Sequence, residues 1–318
     1  MTSAELAQVH IRPDLPGSPR PQSQKIGMKS PIPYLGGKGR LAHRILPLLP
    51  ASNRFQTYVE PFCGGASLLF ARSPLGIEVI NDLNGGVVDF FSILRDRGEE
   101  LRNYLQNIPY ARAIYDRWSD PRYVCADDLE RAARTFYLAR ATFMANTQRD
   151  EDRSPAGFAV AKYLDNRARS MKNKVDGELL RVRDRLRHVL IEQGDALVVI
   201  DRYDSEDAVF YCDPPYVAET RKGGGYAHEY SDEDHRILLE RLKQSPGFVA
   251  ISGYAHPLYA DLLEAGGWER KDFAWHCNTV RNTTGRENPA LEAERTESLW
   301  INPKLAKHLN GRKQMTMF

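Results

Sequence analysis

Short apolar runs closed by glycine, proline or an acid recur along the chain, with longer stretches of helical periodicity between them. Phe55 to Glu60, Glu78 to Asn81, Val189 to Glu192, Ala208 to Cys212, Gly247 to Ser252 and Glu297 to Asn302 are such runs. Each is too short for a buried helix, and a short apolar run between turn signals reads as a strand inside a sheet. Strands alternating with helices predict an α/β fold, a Rossmann-like sheet with helices on both faces.

The longer stretches are helical. Leu41 to Leu49 predicts a first short helix. Val87 to Ile108 predicts one helix, with Val87, Phe90, Phe91, Leu94, Leu101, Leu105 and Ile108 on its apolar face. Another, capped by Asp127 or Asp128, runs to Met144 on Leu129, Ala132, Phe136, Ala139 and Phe143. A third, from Gly177 to Leu190, buries Leu179, Val182, Leu186 and Val189 and turns Arg181, Arg183, Arg185 and Arg187 elsewhere. Four guanidiniums so close together need anions, either phosphates or the neighbouring Asp176, Glu178, Asp184 and Glu192. Ser231 to Asp234 carries a capping box for a further helix.

Segment 90–188 is thus helical and interrupts the alternation. The expected division is a proline-rich disordered tail at 1–27, a catalytic domain from 28–89 and 189–310, the helical insertion, and a tail at 311–318.

Candidate chemistry gathers at the ends of the strands. Proline lacks the N–H a strand needs, so the run ending at Cys212 must stop at Asp213-Pro214-Pro215-Tyr216. That leaves a carboxylate, rigid carbonyls and an aromatic ring at the carboxyl end of a strand, where open α/β sheets bind their ligands. Glu60-Pro61-Phe62-Cys63-Gly64-Gly65 turns the first strand into a helix through glycines that admit close backbone approach to a ligand. Asp82 follows the next strand at a spacing suited to ribose hydroxyls, with capping by Asp82 or Asn84 as the alternative. Asp195 ends the third strand or caps the helix after it. Tyr34 and Lys38 flank a Gly36-Gly37 turn whose lysine could neutralise a carboxylate.

Composition narrows the partners. The 318 residues carry a net charge of +2, so a nucleic-acid surface has to be a local patch. Arg167, Arg169, Lys172 and Lys174 form such a patch in a loop before the arginine helix, and Arg221, Lys222 and Tyr226 another around a triple glycine. No apolar run approaches the ~20 residues of a membrane span, and no signal peptide opens the chain, so a cytoplasmic protein without membrane contact is expected. Four scattered cysteines imply free thiols, and the eight histidines show no metal spacing, so no metal is expected.

Asp213-Pro-Pro-Tyr216 resembles the signature of the amino-directed DNA methyltransferases. The glycine turns at Tyr34–Lys38 and Glu60–Gly65 resemble that family's Lys-Trp-x-Gly-Gly-Lys and Val-Glu-Pro-Phe-x-Gly-Gly segments. Tyr34 stands where tryptophan is usual, and Ala66 replaces a frequent third glycine, a change expected to matter little once the helix has begun. The order of motifs, with a helical insertion before the Asp-Pro-Pro-Tyr turn, is similar to the Dam-like (D12 class) adenine-N6 methyltransferases from about Lys29 onward. The insertion lacks the Phe-Asn-Gly and Phe-Asn-Val-Pro segments of GATC-methylating members, and the chain is closer to shorter phage and prophage enzymes.

The resemblance implies an S-adenosylmethionine-dependent sheet, a base flipped out of duplex DNA, and direct methyl transfer to adenine N6. Tyr34, Lys38, Glu60, Phe62, Gly64, Asp82, Asp195 and Asp213 become cofactor contacts, and Asp213, Pro214, Pro215 and Tyr216 the catalytic turn. Tyr216 would offer the base a stacking surface. It implies a bacterial cytoplasm, duplex DNA as partner to a monomer or weak dimer, and a restriction endonuclease as a further partner. A cytosine-N4 methyltransferase and a non-catalytic DNA-binding regulator are the alternatives.

Overall fold

The computed structural model describes residues 27–34, 36–50, 57–74, 76–142, 157–159, 166–220, 229–276 and 294–315. Seven strands form one sheet: β1 (Thr57–Glu60), β2 (Ile77–Asn81), β3 (Val189–Glu192), β4 (Ala208–Cys212), β5 (Phe248–Gly253), β6 (Glu269–His276) and β7 (Glu294–Ile301). Their order is β3-β2-β1-β4-β5-β7-β6. The first five are parallel, and β7 runs antiparallel between β5 and β6. Strand order reverses between β1 and β4, and that is the crevice where an open sheet takes its ligand.

Alternation along the strands divides the core in two. Tyr58, Ile80, Val209, Tyr211 and Ala250 point to one face, into a cluster shared with Phe90, Phe91, Trp118, Phe136 and Val182 of the helical segment. Val59, Val79, Phe210, Cys212, Val249 and Ile251 point to the other, against Val199, Ile200, Leu238 and Leu239 of the helices Ala196–Tyr203 and Asp232–Lys243. The helical segment therefore continues the core of the sheet rather than enclosing a second one. No described helix is long and apolar enough to cross a membrane.

Several elements differ from their sequence reading. The helix expected over Val87 to Ile108 is two, Gly85–Asp96 and Gly98–Gln106, broken where Arg97 leaves helical geometry at φ −130°, ψ 36°. Gly98 fits that corner because a Cβ there would lie 2.8 Å from Arg183 Cδ. The basic loop is a helix, Arg167–Gly177, capped by Asn166. Only Met171 and Val175 of that helix are buried, too few to register as a periodic face. The arginine helix is shorter than expected, Leu179–Leu186, and its last residues become β3. β6 went unread because its charged residues mask the alternation. The helix Pro303–Met315 runs past the expected tail boundary at 310.

Arg185 is the largest correction. It is not a surface guanidinium but a buried one, bonded to both oxygens of Glu78 on β2 at 2.5 and 2.8 Å and to the Leu69 carbonyl at 3.0 Å. Both side chains are 4% exposed. Removing one partner strands a charge in the core, whereas replacing both with apolar groups does not. Arg185→Ala is therefore expected to cost about 3–5 kcal/mol in urea unfolding, and Arg185→Met combined with Glu78→Met to recover most of that loss.

Candidate functional site

All five residues of β4 are buried, and the two prolines end the strand at the crevice. Asp213 stands at that end. The Gly36-Gly37 turn brings Lys38 against it from 175 residues earlier in the sequence. Lys38 Nζ donates to both Asp213 oxygens at 2.7 and 2.8 Å and to the Gly36 carbonyl at 2.8 Å. It also lies 3.3 Å from Glu297 on β7 and 4.9 Å above the Tyr216 ring. The Tyr216 hydroxyl donates to Glu297 and, at 3.2 Å, to Asp213. Tyr254 packs edge-on against the same ring at 4.8 Å. Burial pushes the Asp213 and Glu297 carboxyls up while the ammonium pulls both back, and burial's downward pull on Lys38 is outweighed by its two acids.

The other half of the site is built by the glycine turn after β1. Gly64 adopts φ +47°, and a Cβ there would lie 2.6 Å from Tyr34 Cδ1, so the ring and the backbone conformation both require glycine. Its N–H donates to Asp82 Oδ2 at 2.8 Å, while Asp82 Oδ1 accepts from Asn84 N–H at 2.9 Å. Asn84, not Asp82, caps the helix after β2. Asn81 ties three loops together, donating to the carbonyls of Pro61 at 2.8 Å and Gly194 at 3.0 Å. Ala66 departs from expectation: no helix has begun there, and the residue sits left-handed at φ 49°, where alanine is strained.

Together these elements enclose a cavity of about 250 Å³. Tyr34, Lys38, Glu60, Phe62, Gly64, Asp82, Asp195 and Asp213, all eight expected cofactor contacts, line it, as does Pro215. Asp195 also caps its helix, accepting from Leu197 N–H at 2.7 Å. Pro214 and Tyr216 are buried, and the Tyr216 face expected to be open for stacking lies under the Lys38 ammonium. Arg167, Arg169 and Lys172 are exposed on their helix, none lining the cavity, and Lys174 pairs with Glu178. Arg221, Lys222 and Tyr226 lie outside the described residues.

Sequence reasoning missed Glu297, Glu229, Asp234 and Tyr230. The signal for Glu297 was present as an acid opening an apolar strand run. Glu229, Asp234 and Tyr230 line the cavity from the segment before helix Asp232–Lys243 and its first turn, and nothing in their spacing marked them.

A sequence model of the D12 class N6 adenine-specific DNA methyltransferases matches residues 34–260. The Type II methyltransferase M1.LlaDCHI of Lactococcus lactis subsp. cremoris is 28% identical over 282 residues, covering 84% of this chain and 93% of its own. The Type II methyltransferase M.MjaIII of Methanocaldococcus jannaschii is 20% identical over 259 residues, covering 73% and 87%. Among solved structures, an rRNA methyltransferase of Streptomyces viridochromogenes aligns over 83% of this chain and 84% of its own, with 15% identity and a TM-score of 0.32.

Glu60 yields a prediction that needs no ligand. It is 2% exposed, and burial lifts its carboxyl to about 7, opposed by the Tyr58 hydroxyl that donates to it at 2.9 Å. An acid raised in the folded state binds its proton more tightly there than when unfolded. Stability is thus greatest below the ordinary carboxylate pKa and falls as pH climbs from 4.5 to about 7. Above that range the ionised group costs about 3 kcal/mol. Glu60→Gln should therefore raise the melting temperature relative to wild type at pH 8 more than at pH 4.5, measured by scanning calorimetry at both.

Proposed function

The chain belongs to the D12 class N6 adenine-specific DNA methyltransferases, and from that membership we propose how its residues divide the work. The family activity is methyl transfer to adenine N6 of DNA, with S-adenosylmethionine as donor. When bound, the donor supplies an activated methyl on a cationic sulfur. The cavity suits such a ligand: its described lining carries the carboxylates of Glu60, Asp82, Asp195, Asp213, Glu229 and Asp234 against a single ammonium, Lys38. That acid excess, in the same cavity as the Asp213 turn, is the observation that carries the proposal.

Asp82, on the cavity lining at the end of β2, would accept the two ribose hydroxyls. Asp195, at the cavity edge beside Leu197 and Ile237, suits an adenine amino group. Glu60 and Lys38 suit the ammonium and carboxylate of the methionine portion, and Gly64 lets that portion lie against the backbone beside the Tyr34 ring.

On the substrate side, adenine N6 is a poor nucleophile because its lone pair is delocalised into the ring. Hydrogen bonds from the amino group to Asp213 and to the Pro214 carbonyl favour a more tetrahedral, attacking nitrogen. Proline fixes φ, so that acceptor pair is set before the base arrives, and positioning supplies most of the rate. No covalent enzyme intermediate is needed. Burial pushes the Cys63 and Cys212 thiols up, which suits bystanders. The base leaves the duplex to reach the turn, with Tyr216 as its stacking surface once Lys38 has moved.

Segment 90–188 serves as the recognition insertion between catalytic parts 28–89 and 189–310. Arg167, Arg169 and Lys172 supply phosphate contacts from their exposed helix, with Arg221, Lys222 and Tyr226 adding others. The relatives' designation as Type II methyltransferases supports a role beside a restriction endonuclease.

Incubating the purified chain with donor and adenine-unmethylated bacterial DNA, then analysing the nucleosides, should yield N6-methyladenine. Methylated cytosine alone would overturn the proposal. Asp213→Asn should lower kcat on the order of a hundredfold or more, and full activity in that variant would sink the assigned role. Asp82→Ala should weaken donor binding in calorimetry by about tenfold or more, as lost charge-assisted hydrogen bonds require.

A further inference from the structure

Lys38 poses a problem for the chemistry just described. One ammonium bridges both oxygens of Asp213 and covers the face of Tyr216, so it occupies both features the target base would use. It has to withdraw when the base arrives, and it is itself only 4% exposed. A cation leaving one carboxylate in a buried site needs another carboxylate at hand.

We propose that Glu297 is a positioning residue which takes over the Lys38 ammonium when the amino group of the base claims Asp213. The proposal rests on the methyltransferase reading above. Glu297 Oε1 already lies 3.3 Å from Lys38 Nζ, so the hand-over needs a side-chain adjustment and no backbone movement. Its carboxylate is carried on β7, paired with Phe273 of β6 and next to Ser298, which pairs with Gly253 of β5, so the receiving group is fixed by the sheet. Glu297 is 5% exposed, and its described partners are Lys38 and Tyr216. The Tyr216 hydroxyl bonds to Glu297 and reaches Asp213, so the ring stays oriented through the exchange. Glu297 is the carboxylate the chain itself holds beside the ammonium, so without it the release of Asp213 would be hindered.

A hand-over role needs the charge of Glu297, whereas a structural prop for Tyr216 needs only an acceptor oxygen. Glu297→Gln separates the two, because its amide oxygen still accepts from the hydroxyl. Initial rates of methyl transfer to adenine-unmethylated bacterial DNA are compared for wild type, Glu297→Gln and Glu297→Ala. Binding of sinefungin, a non-reactive donor analogue, is measured by calorimetry on the same samples. The expected result is a fall in kcat/KM for DNA on the order of tenfold to a hundredfold in both variants. In Glu297→Gln, sinefungin affinity should stay within about twofold and the melting temperature should be unchanged. An active wild type whose Glu297→Gln variant keeps its kcat/KM overturns the hand-over, whatever happens to Glu297→Ala. So does a loss in Glu297→Gln matched by lost sinefungin binding or lower stability. A wild type that transfers no methyl overturns the methyltransferase reading itself, and the hand-over with it.

Discussion

One buried ammonium holds this site together. Lys38 comes from the Gly36-Gly37 turn, Asp213 from the end of a central strand and Glu297 from the antiparallel strand beyond it. These segments are far apart in sequence, and little else near the crevice joins all three. Two carboxylates around one ammonium would repel each other if the cation left, which fixes the approach of the Gly36-Gly37 turn.

The second buried pair does comparable work at the opposite side of the sheet. Arg185 and Glu78 pin the last helix of segment 90–188 to β2, one strand from the glycine turn. Phe90, Phe91 and Phe136 continue the core from sheet to helices, so an apolar contact and an ion pair act on the same joint. Any surface the helices present to a duplex is thereby referenced to the strand ends rather than hinged from them. For an enzyme that must align a flipped base with a methyl donor, that rigidity limits misplacement.

The strands and their terminal motifs were legible because proline, glycine and acid at a strand end each act locally. Asp213-Pro-Pro-Tyr216 and the glycine turn at Gly64 need no tertiary partner to declare themselves. What stayed hidden depends on partners distant in sequence. Arg185 carries the same residue type as Arg181 and Arg187, and only Glu78 across the fold makes it a core residue. Glu297 looked like a strand's polar edge until Lys38 and Tyr216 came to it. Helix Arg167–Gly177 escaped because two buried side chains make no periodic face, and Ala66 because a left-handed alanine leaves no mark in sequence. The eight residues expected at the cofactor line one cavity, but the contacts that neutralise them were not read from sequence.

Under the proposed assignment, those contacts bear on how an acidic cavity could serve a cationic donor without trapping it. Carboxylates that stabilise the sulfonium as strongly as they stabilise the transition state would tighten binding without quickening transfer. The deepest acids here are muted. Glu60 is held near neutrality by burial, and Asp213 faces Lys38. Asp195 and Asp234 lie exposed, where charge attracts at a distance but contributes little to the ground state. Transfer turns the cationic donor into a neutral thioether, so the attraction that gathers it no longer holds the product.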